Sequence, residues 1–275
     1  MTDYARPETL PQALQLLAEG GGRVLAGGTD LYPGAGTRLA GRVVDLTAVP
    51  GIAAITMGHG LRIGTCTSWS ALAEADLPAA LHALRQAALQ VGGRQVQNAG
   101  TIGGNLCNAS PAADGVPPLL VLDAEVELVS QAGIRRLALT EFLLGPRRTA
   151  MRPNEVLAAI HVPQAALQGR SAFVKLGARS HLVISIAMVA ARVVVTDGRV
   201  TMAAIAVGAC SPVARRLPEV EAALLGAPVD KAVARVDASL VAAALDPIDD
   251  VRATADYRRG AAAELVRRAV AEALT

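Results

Sequence analysis

Apolar residues recur at helical spacing in some stretches of this chain and at every second position in others. Leu10, Leu14 and Leu17 share one face behind Thr9-Leu10-Pro11-Gln12, a capping-box pattern with proline in the first turn, and Gly20-Gly21-Gly22 stops that helix. The run Arg23-Val24-Leu25-Ala26 then enters a glycine turn, Gly27-Gly28-Thr29-Asp30. Strands are expected at Val43-Val44-Asp45, at residues 53–57 and at 61–64, the last two joined as a hairpin through Gly58-His59-Gly60. Residues 77–91 have helical periodicity and end at Gly92-Gly93.

Beyond a second glycine-rich segment, residues 98–105, the chain alternates again. Ala124-Glu125-Val126-Glu127-Leu128 has the pattern of a half-buried strand, Gln131-Ala132-Gly133 turns it into residues 134–139, and residues 155–162 form another strand. Composition shifts at 164–169, which predicts a boundary between domains at 1–165 and 170–275. The second unit has strands at 172–176, 184–196 and 200–207, and Asp197-Gly198, a dipeptide favoured in type I′ turns, joins the last two. Helical sequence follows, broken at Gly226 and Pro247. The first unit lacks the strict βαβ alternation of a dinucleotide-binding doubly wound sheet, and the second reads as a small antiparallel sheet with helices on one side. The fold class is α+β.

Composition narrows the function classes. Hydrophobic residues make up 52% of the 275 and charged residues 18%, which excludes a disordered chain. A net charge of +2 without a basic run excludes a phosphate-tracking nucleic-acid protein, and with Trp69, three tyrosines and two phenylalanines there is no stacking platform for bases. Cys66, Cys107 and Cys210 are too scattered for a disulfide framework, a zinc site or an iron–sulfur loop. The start, Met1-Thr2-Asp3-Tyr4, lacks a signal-peptide pattern, and the apolar tract 182–195 is too short to span a bilayer. A cytoplasmic protein without a membrane span is expected. His59, His82, His161 and His181 share no metal-ligand spacing, so no catalytic or metal residue is assigned.

Candidate chemistry concentrates in the two glycine segments. A turn without Cβ atoms lets backbone approach a ligand closely, and successive N–H groups can point at anionic oxygens. Gly27-Gly28-Thr29 offers this with a hydroxyl, and Thr101-Ile102-Gly103-Gly104-Asn105 repeats it with a second hydroxyl and an amide. Either segment alone reads more readily as a structural turn, and neither matches the GxGxxG or P-loop pattern. Together they can line both sides of one pyrophosphate. No lysine or arginine sits in either core, so a diphosphate held mostly by backbone amides points to a nucleotide cofactor. Asp114 can accept from ribose hydroxyls or be a solvated acid, and Lys175, on an apolar strand, can face an electron-rich ring or water.

These residues resemble the FAD-binding subunit of molybdenum hydroxylases, the family of xanthine dehydrogenase, aerobic carbon monoxide dehydrogenase and 4-hydroxybenzoyl-CoA reductase. The resemblance starts at Tyr4-x-Arg6-Pro7 and continues through Val24-Leu25-Ala26-Gly27-Gly28-Thr29-Asp30-Leu31. Its most specific stretch is Asn98-Ala99-Gly100-Thr101-Ile102-Gly103-Gly104-Asn105-Leu106-x-x-Ala109-Ser110-Pro111-x-x-Asp114. Gly145-Pro146-Arg147-Arg148-Thr149, Lys175-Leu176-Gly177-x-Arg179 and Pro247-Ile248-x-Asp250-x-Arg252-Ala253-x-Ala255-x-Tyr257-Arg258 follow in order.

The resemblance implies a two-lobed FAD domain of the vanillyl-alcohol-oxidase type, then the small sheet-and-helix domain. It implies FAD on this chain, a small subunit with 2Fe–2S clusters and a large subunit with molybdopterin, assembled as a dimer of heterotrimers. Electrons would pass from the clusters through FAD to NAD⁺, oxygen or another acceptor. Carried over by position, Val24, Leu25, Ala26, Gly27, Gly28, Thr29, Asp30 and Leu31 contact the FAD phosphates and flank the flavin, as do Thr101, Ile102, Gly103, Gly104 and Asn105. Asp114 binds toward the ribose, Lys175 lies by the isoalloxazine, Leu157 or Ile160 packs near the ring, and Ile184 stands at the flavin face. Three features depart from relatives. There is no cysteine-rich cluster loop, Thr29-Asp30 replaces the histidine-serine pair of carbon monoxide dehydrogenases, and Val91 and Ile184 are aliphatic where relatives tend to place aromatics. The alternative is a self-contained FAD-dependent oxidase of the vanillyl-alcohol oxidase type.

Overall fold

The computed structural model describes residues 2–36, 39–180 and 182–275; Met1 and His181, both named above, lie outside the described residues. Strand β1 (Thr2–Ala5), helix α1 (Leu10–Gly20), β2 (Arg23–Leu25) and β3 (Gly41–Asp45) make a small lobe whose sheet is parallel, in the order β1-β3-β2. Ala13, Leu14 and Leu17 are the buried face of α1. Half of the expected capping box forms, with Gln12 N–H donating to Thr9 Oγ1 at 3.3 Å. The Gln12 side chain accepts instead from Glu8 N–H, one residue before the cap.

The second lobe begins with the hairpin β4 (Ile55–Gly58) and β5 (Gly60–Gly64), paired as the Gly58-His59-Gly60 turn predicts. Five short helices follow: α2 (Trp69–Glu74), α3 (His82–Gln90), α4 (Arg94–Ala99), α5 (Ile102–Asn108) and α6 (Val116–Val121). The expected helix over 77–91 is shorter, because 79–81 form a 3₁₀ turn that leads into α3. Next come β6 (Glu125–Ser130), β7 (Gly133–Ala138), α7 (Leu139–Phe142), the ribbon β8 (Leu143–Gly145) and β9 (Arg148–Thr149), and β10 (Val156–Pro163). The main sheet is antiparallel, in the order β4-β5-β10-β6-β7. Leu61, Ile63, Val126, Leu128 and Ile160 face its core, while Glu127 on the outer face meets His161 at 2.9 Å, Arg136 at 3.5 Å and Arg62 at 3.7 Å. Strand β10 is apolar along most of its length because it serves two cores. Leu157 and Ile160 pack in the main one, and Val156 and Ala158 pack against α1 and the parallel lobe.

The C-terminal sheet consists of β11 (Arg170–Leu176), β12 (Ala187–Thr196), β13 (Arg199–Gly208) and β14 (Arg215–Arg216), antiparallel in that order. Asp197 and Gly198 both have positive φ, as a type I′ turn requires. Helices α8 (Pro218–Leu224), α9 (Val229–Ala232), α10 (Ala238–Ala243) and α11 (Ala255–Ala273) complete the chain. The reading of helices on one side describes only this unit's own helices. Ala172, Val189, Ala191, Val193, Ile205 and Val207 face them, but Phe173, Met188, Ala190, Ala204 and Ala206 pack into the first unit's core, against α3 and α6. Both faces of β12 are therefore buried, which explains its unbroken apolar run. Arg192 crosses this boundary, donating from Nε to the Val121 carbonyl at 2.7 Å, and Arg216 donates to Leu120 O at 3.1 Å. Two guanidiniums thus bond carbonyls in the last turn of α6, Leu120 O accepting from Asp123 N–H as well.

Candidate functional site

The two glycine segments lie against each other. A Cβ on Gly27 would run into the Ala99 carbonyl and the Gly100 backbone, so only glycine lets the loops approach. Gly28 has φ +71°, and a Cβ there would strike the Tyr32 ring. Among the described residues no group accepts from the backbone N–H of Gly27, Gly28, Thr29, Asp30 or Leu31, although Gly28 is buried. Such a run of free donors is a ready anion cradle.

The second segment is built differently. Ile102 N–H donates to Thr67 O and Gly103 N–H to Thr65 O, each at 3.0 Å. Gly104 N–H donates to Thr101 Oγ1 at 3.1 Å and Asn105 N–H to Thr101 O at 3.0 Å. These amides are consumed in opening α5, which corrects the expectation that both loops present backbone donors. What remains for a ligand is the Thr101 hydroxyl proton and the Asn105 NH₂, whose Oδ1 already accepts from Gly115 N–H. Gly103 is glycine because a Cβ would collide with Thr65, whereas a Cβ on Gly104 would meet only Thr101 Oγ1, at 3.0 Å.

Both segments open onto a cavity of about 1020 Å³, at the upper end of the range for ligand pockets. Its wall includes Val24 to Leu31, Thr101, Gly103, Gly104, Asn105, Asp114, Leu157 and Ile184, so most of the expected site residues come together. Three do not reach it. Ile102 and Ile160 are wholly buried in the main core, because the phase of α5 and the pleat of β10 turn them inward. Lys175 is withdrawn from the cavity by Asp114, to which its ammonium donates at 2.7 Å, and it also donates to the Gln90 carbonyl at 3.3 Å.

Asp114 itself lies in the wall, but both carboxylate oxygens are engaged, Oδ2 by Lys175 and Oδ1 by the Ser185 hydroxyl at 2.8 Å. Burial pushes its carboxyl above the usual range, opposed by Lys175 and by Ser185.

Sequence spacing gave no sign of the cations in the wall. Arg23, Arg147 and Arg152 line the cavity, and among the described residues none has a carboxylate within ion-pair distance. Glu155 is taken by Arg135 in a bidentate pair at 2.6 and 2.8 Å, and Asp114 by Lys175. Three unpaired guanidiniums against the one unpaired carboxylate, Asp30, leave two positive charges, which suits a diphosphate. Arg147 has φ +58° at the turn of the β8–β9 ribbon, and its N–H donates to Ala109 O, which fixes the loop after α5. Cys107 is the cysteine in the wall; burial pushes its thiol up to about 12, so it is protonated and a poor nucleophile. Of the described histidines none lines the cavity.

Residues 1–165 match the model of the FAD binding domain in molybdopterin dehydrogenase, and residues 172–273 that of the CO dehydrogenase flavoprotein C-terminal domain. The carbon monoxide dehydrogenase medium chain of Afipia carboxidovorans is 33% identical, over 98% of this chain and 96% of that protein. The xanthine dehydrogenase FAD-binding subunit of Escherichia coli O157:H7 is 29% identical, over 98% and 95%. A chain of reconstituted CO dehydrogenase from Oligotropha carboxidovorans superposes with a TM-score of 0.91 at 32% identity, covering 100% of this chain and 98% of that one.

Proposed function

Because the chain belongs to the family of FAD-binding medium subunits of molybdenum hydroxylases, we propose that it holds one FAD non-covalently and passes electrons from a partner's 2Fe–2S clusters to an external acceptor. The run of free amides from Gly27 to Leu31 in the wall of the cavity carries this reading. FAD supplies the redox chemistry, exchanging electrons singly with clusters and in pairs with an acceptor.

The chain's own residues bind and orient it. Gly27 to Leu31 cradle the diphosphate, with Arg23, Arg147 and Arg152 supplying charge. Thr101, Gly104 and Asn105 close the opposite side, and Leu157 and Ile184 give apolar wall for the rings. The protonated Cys107 fits non-covalent binding. The 1–165 unit would carry the cofactor, and the 170–275 unit would complete the wall through Leu182, Val183 and Ile184, with Ser185 and Lys175 holding Asp114 from behind it.

The donor clusters would sit on a small iron–sulfur subunit and the substrate chemistry on a large molybdopterin subunit, in a cytoplasmic dimer of heterotrimers. Among the described residues no group of three His, Cys, Asp or Glu side chains is placed to hold a metal, and no helix is long and apolar enough to cross a membrane. The acceptor is NAD⁺, oxygen or another oxidant.

The test mixes the FAD-loaded chain anaerobically with the organic substrate, with and without the other two subunits, and follows flavin absorbance. Bleaching is expected only with the partners present, and acid precipitation should leave a colourless pellet. Bleaching by substrate alone would replace this reading with a self-contained oxidase.

A further inference from the structure

Ser185 is fully buried two residues before β12, and its hydroxyl donates to Asp114 Oδ1 at 2.8 Å, its one side-chain bond among the described residues. It and Lys175 come from the second unit, while Asp114 comes from the first and is the member of the trio in the cavity wall. We propose that Ser185 is a positioning residue of the flavin site, which fixes the Asp114 carboxylate against the Lys175 ammonium so that the pair presents no net charge to the flavin. This rests on the FAD reading above.

The charged groups around Asp114 are few. Lys175 faces it from β11, Gln90 contributes a carbonyl from the end of α3, and among the described residues no other cation or carboxylate lies within ion-pair distance. Arg252 reaches only the Ser185 carbonyl, at 3.4 Å, and is itself paired with Asp250. Burial favours a protonated Asp114, and two interactions oppose this, the Lys175 ammonium and the Ser185 hydroxyl. Removing the hydroxyl leaves Lys175 alone to hold the charge. The carboxylate then takes up a proton at higher pH than before. Once it is neutral, the Lys175 ammonium stands uncompensated behind a low-dielectric wall, where it favours added negative charge on the flavin. A hydrogen bond to a charged group is strong enough to move a titration by about one pH unit.

The experiment uses the full chain loaded with FAD and records flavin absorbance and midpoint potential against pH for the wild type, Ser185→Ala and Asp114→Asn. Ser185→Ala should shift the low-pH step in both signals upward by about one unit. Asp114→Asn should abolish the step and hold the potential at the more positive level throughout. A purely structural role for Ser185 would lower FAD occupancy without moving the step. If Ser185→Ala does not fold, Ser185→Cys, with its weaker S–H donor, should give a smaller upward shift. A variant that binds FAD and titrates exactly as the wild type does would overturn the proposal. Failure of the wild-type chain to bind FAD would instead overturn the cofactor reading.

Discussion

The two glycine segments look alike in sequence and do different work. In the first, both glycines are demanded by the protein itself, Gly27 by the Ala99 carbonyl and Gly28 by its φ of +71° and the Tyr32 ring, yet the amides from Gly27 to Leu31 stay free. In the second, the amides from Ile102 to Asn105 are all spent inside the protein, and Gly103 is demanded by Thr65. Gly104 is the looser of the two, since a Cβ there would meet Thr101 Oγ1 alone, at 3.0 Å. Glycine richness is therefore a poor marker of a ligand. Free donors and missing side chains facing a cavity are the better ones, and they divide between the loops: the first binds, the second makes room.

The largest effect expected from breaking this division is at Gly27. Gly27→Ala sets a Cβ against backbone that has nowhere to move, so the cost should exceed about 4 kcal/mol, read by denaturant unfolding without FAD. A mild loss of stability there would mean that the loops are not fixed by mutual contact. Gly104→Val should do the reverse. Stability without FAD should change by less than about 1 kcal/mol, since valine is tolerated in an opening helical turn. FAD affinity should fall by at least about tenfold, a loss of about 1.4 kcal/mol, because the branched side chain fills the space meant for the diphosphate. Unchanged flavin content in that variant would remove the second segment from the site.

Much of this was legible in the sequence, for reasons that particular residues make clear. The β4–β5 hairpin, the Asp197-Gly198 turn and α1 are fixed by neighbours in the chain, and they fold as their patterns imply. Features decided by distant contacts were not legible. The second face of β12 is covered by α3 and α6, which end more than sixty residues before the strand begins, and periodicity cannot report what lies opposite. Lys175 on a strand gave no hint that Asp114 would claim it. Arg23, Arg147 and Arg152 meet in one wall only after three separate segments fold together, so a search confined to the glycine motifs found no cation. Ile102 and Ile160 sit inside the right motifs but on the wrong side of their backbones, which a motif match by position does not resolve.

Hydrogen exchange of the full chain with and without FAD tests the central claim most directly, because it reads the amides themselves. The segment from Gly27 to Leu31 should exchange rapidly without FAD and become strongly protected when FAD binds. The amides from Ile102 to Asn105, already bonded within the protein, should be slow in both states and change little. Protection that appears at 102–105 while 27–31 stays fast in the FAD-loaded chain would contradict the account, since the diphosphate would then lie on the wrong loop.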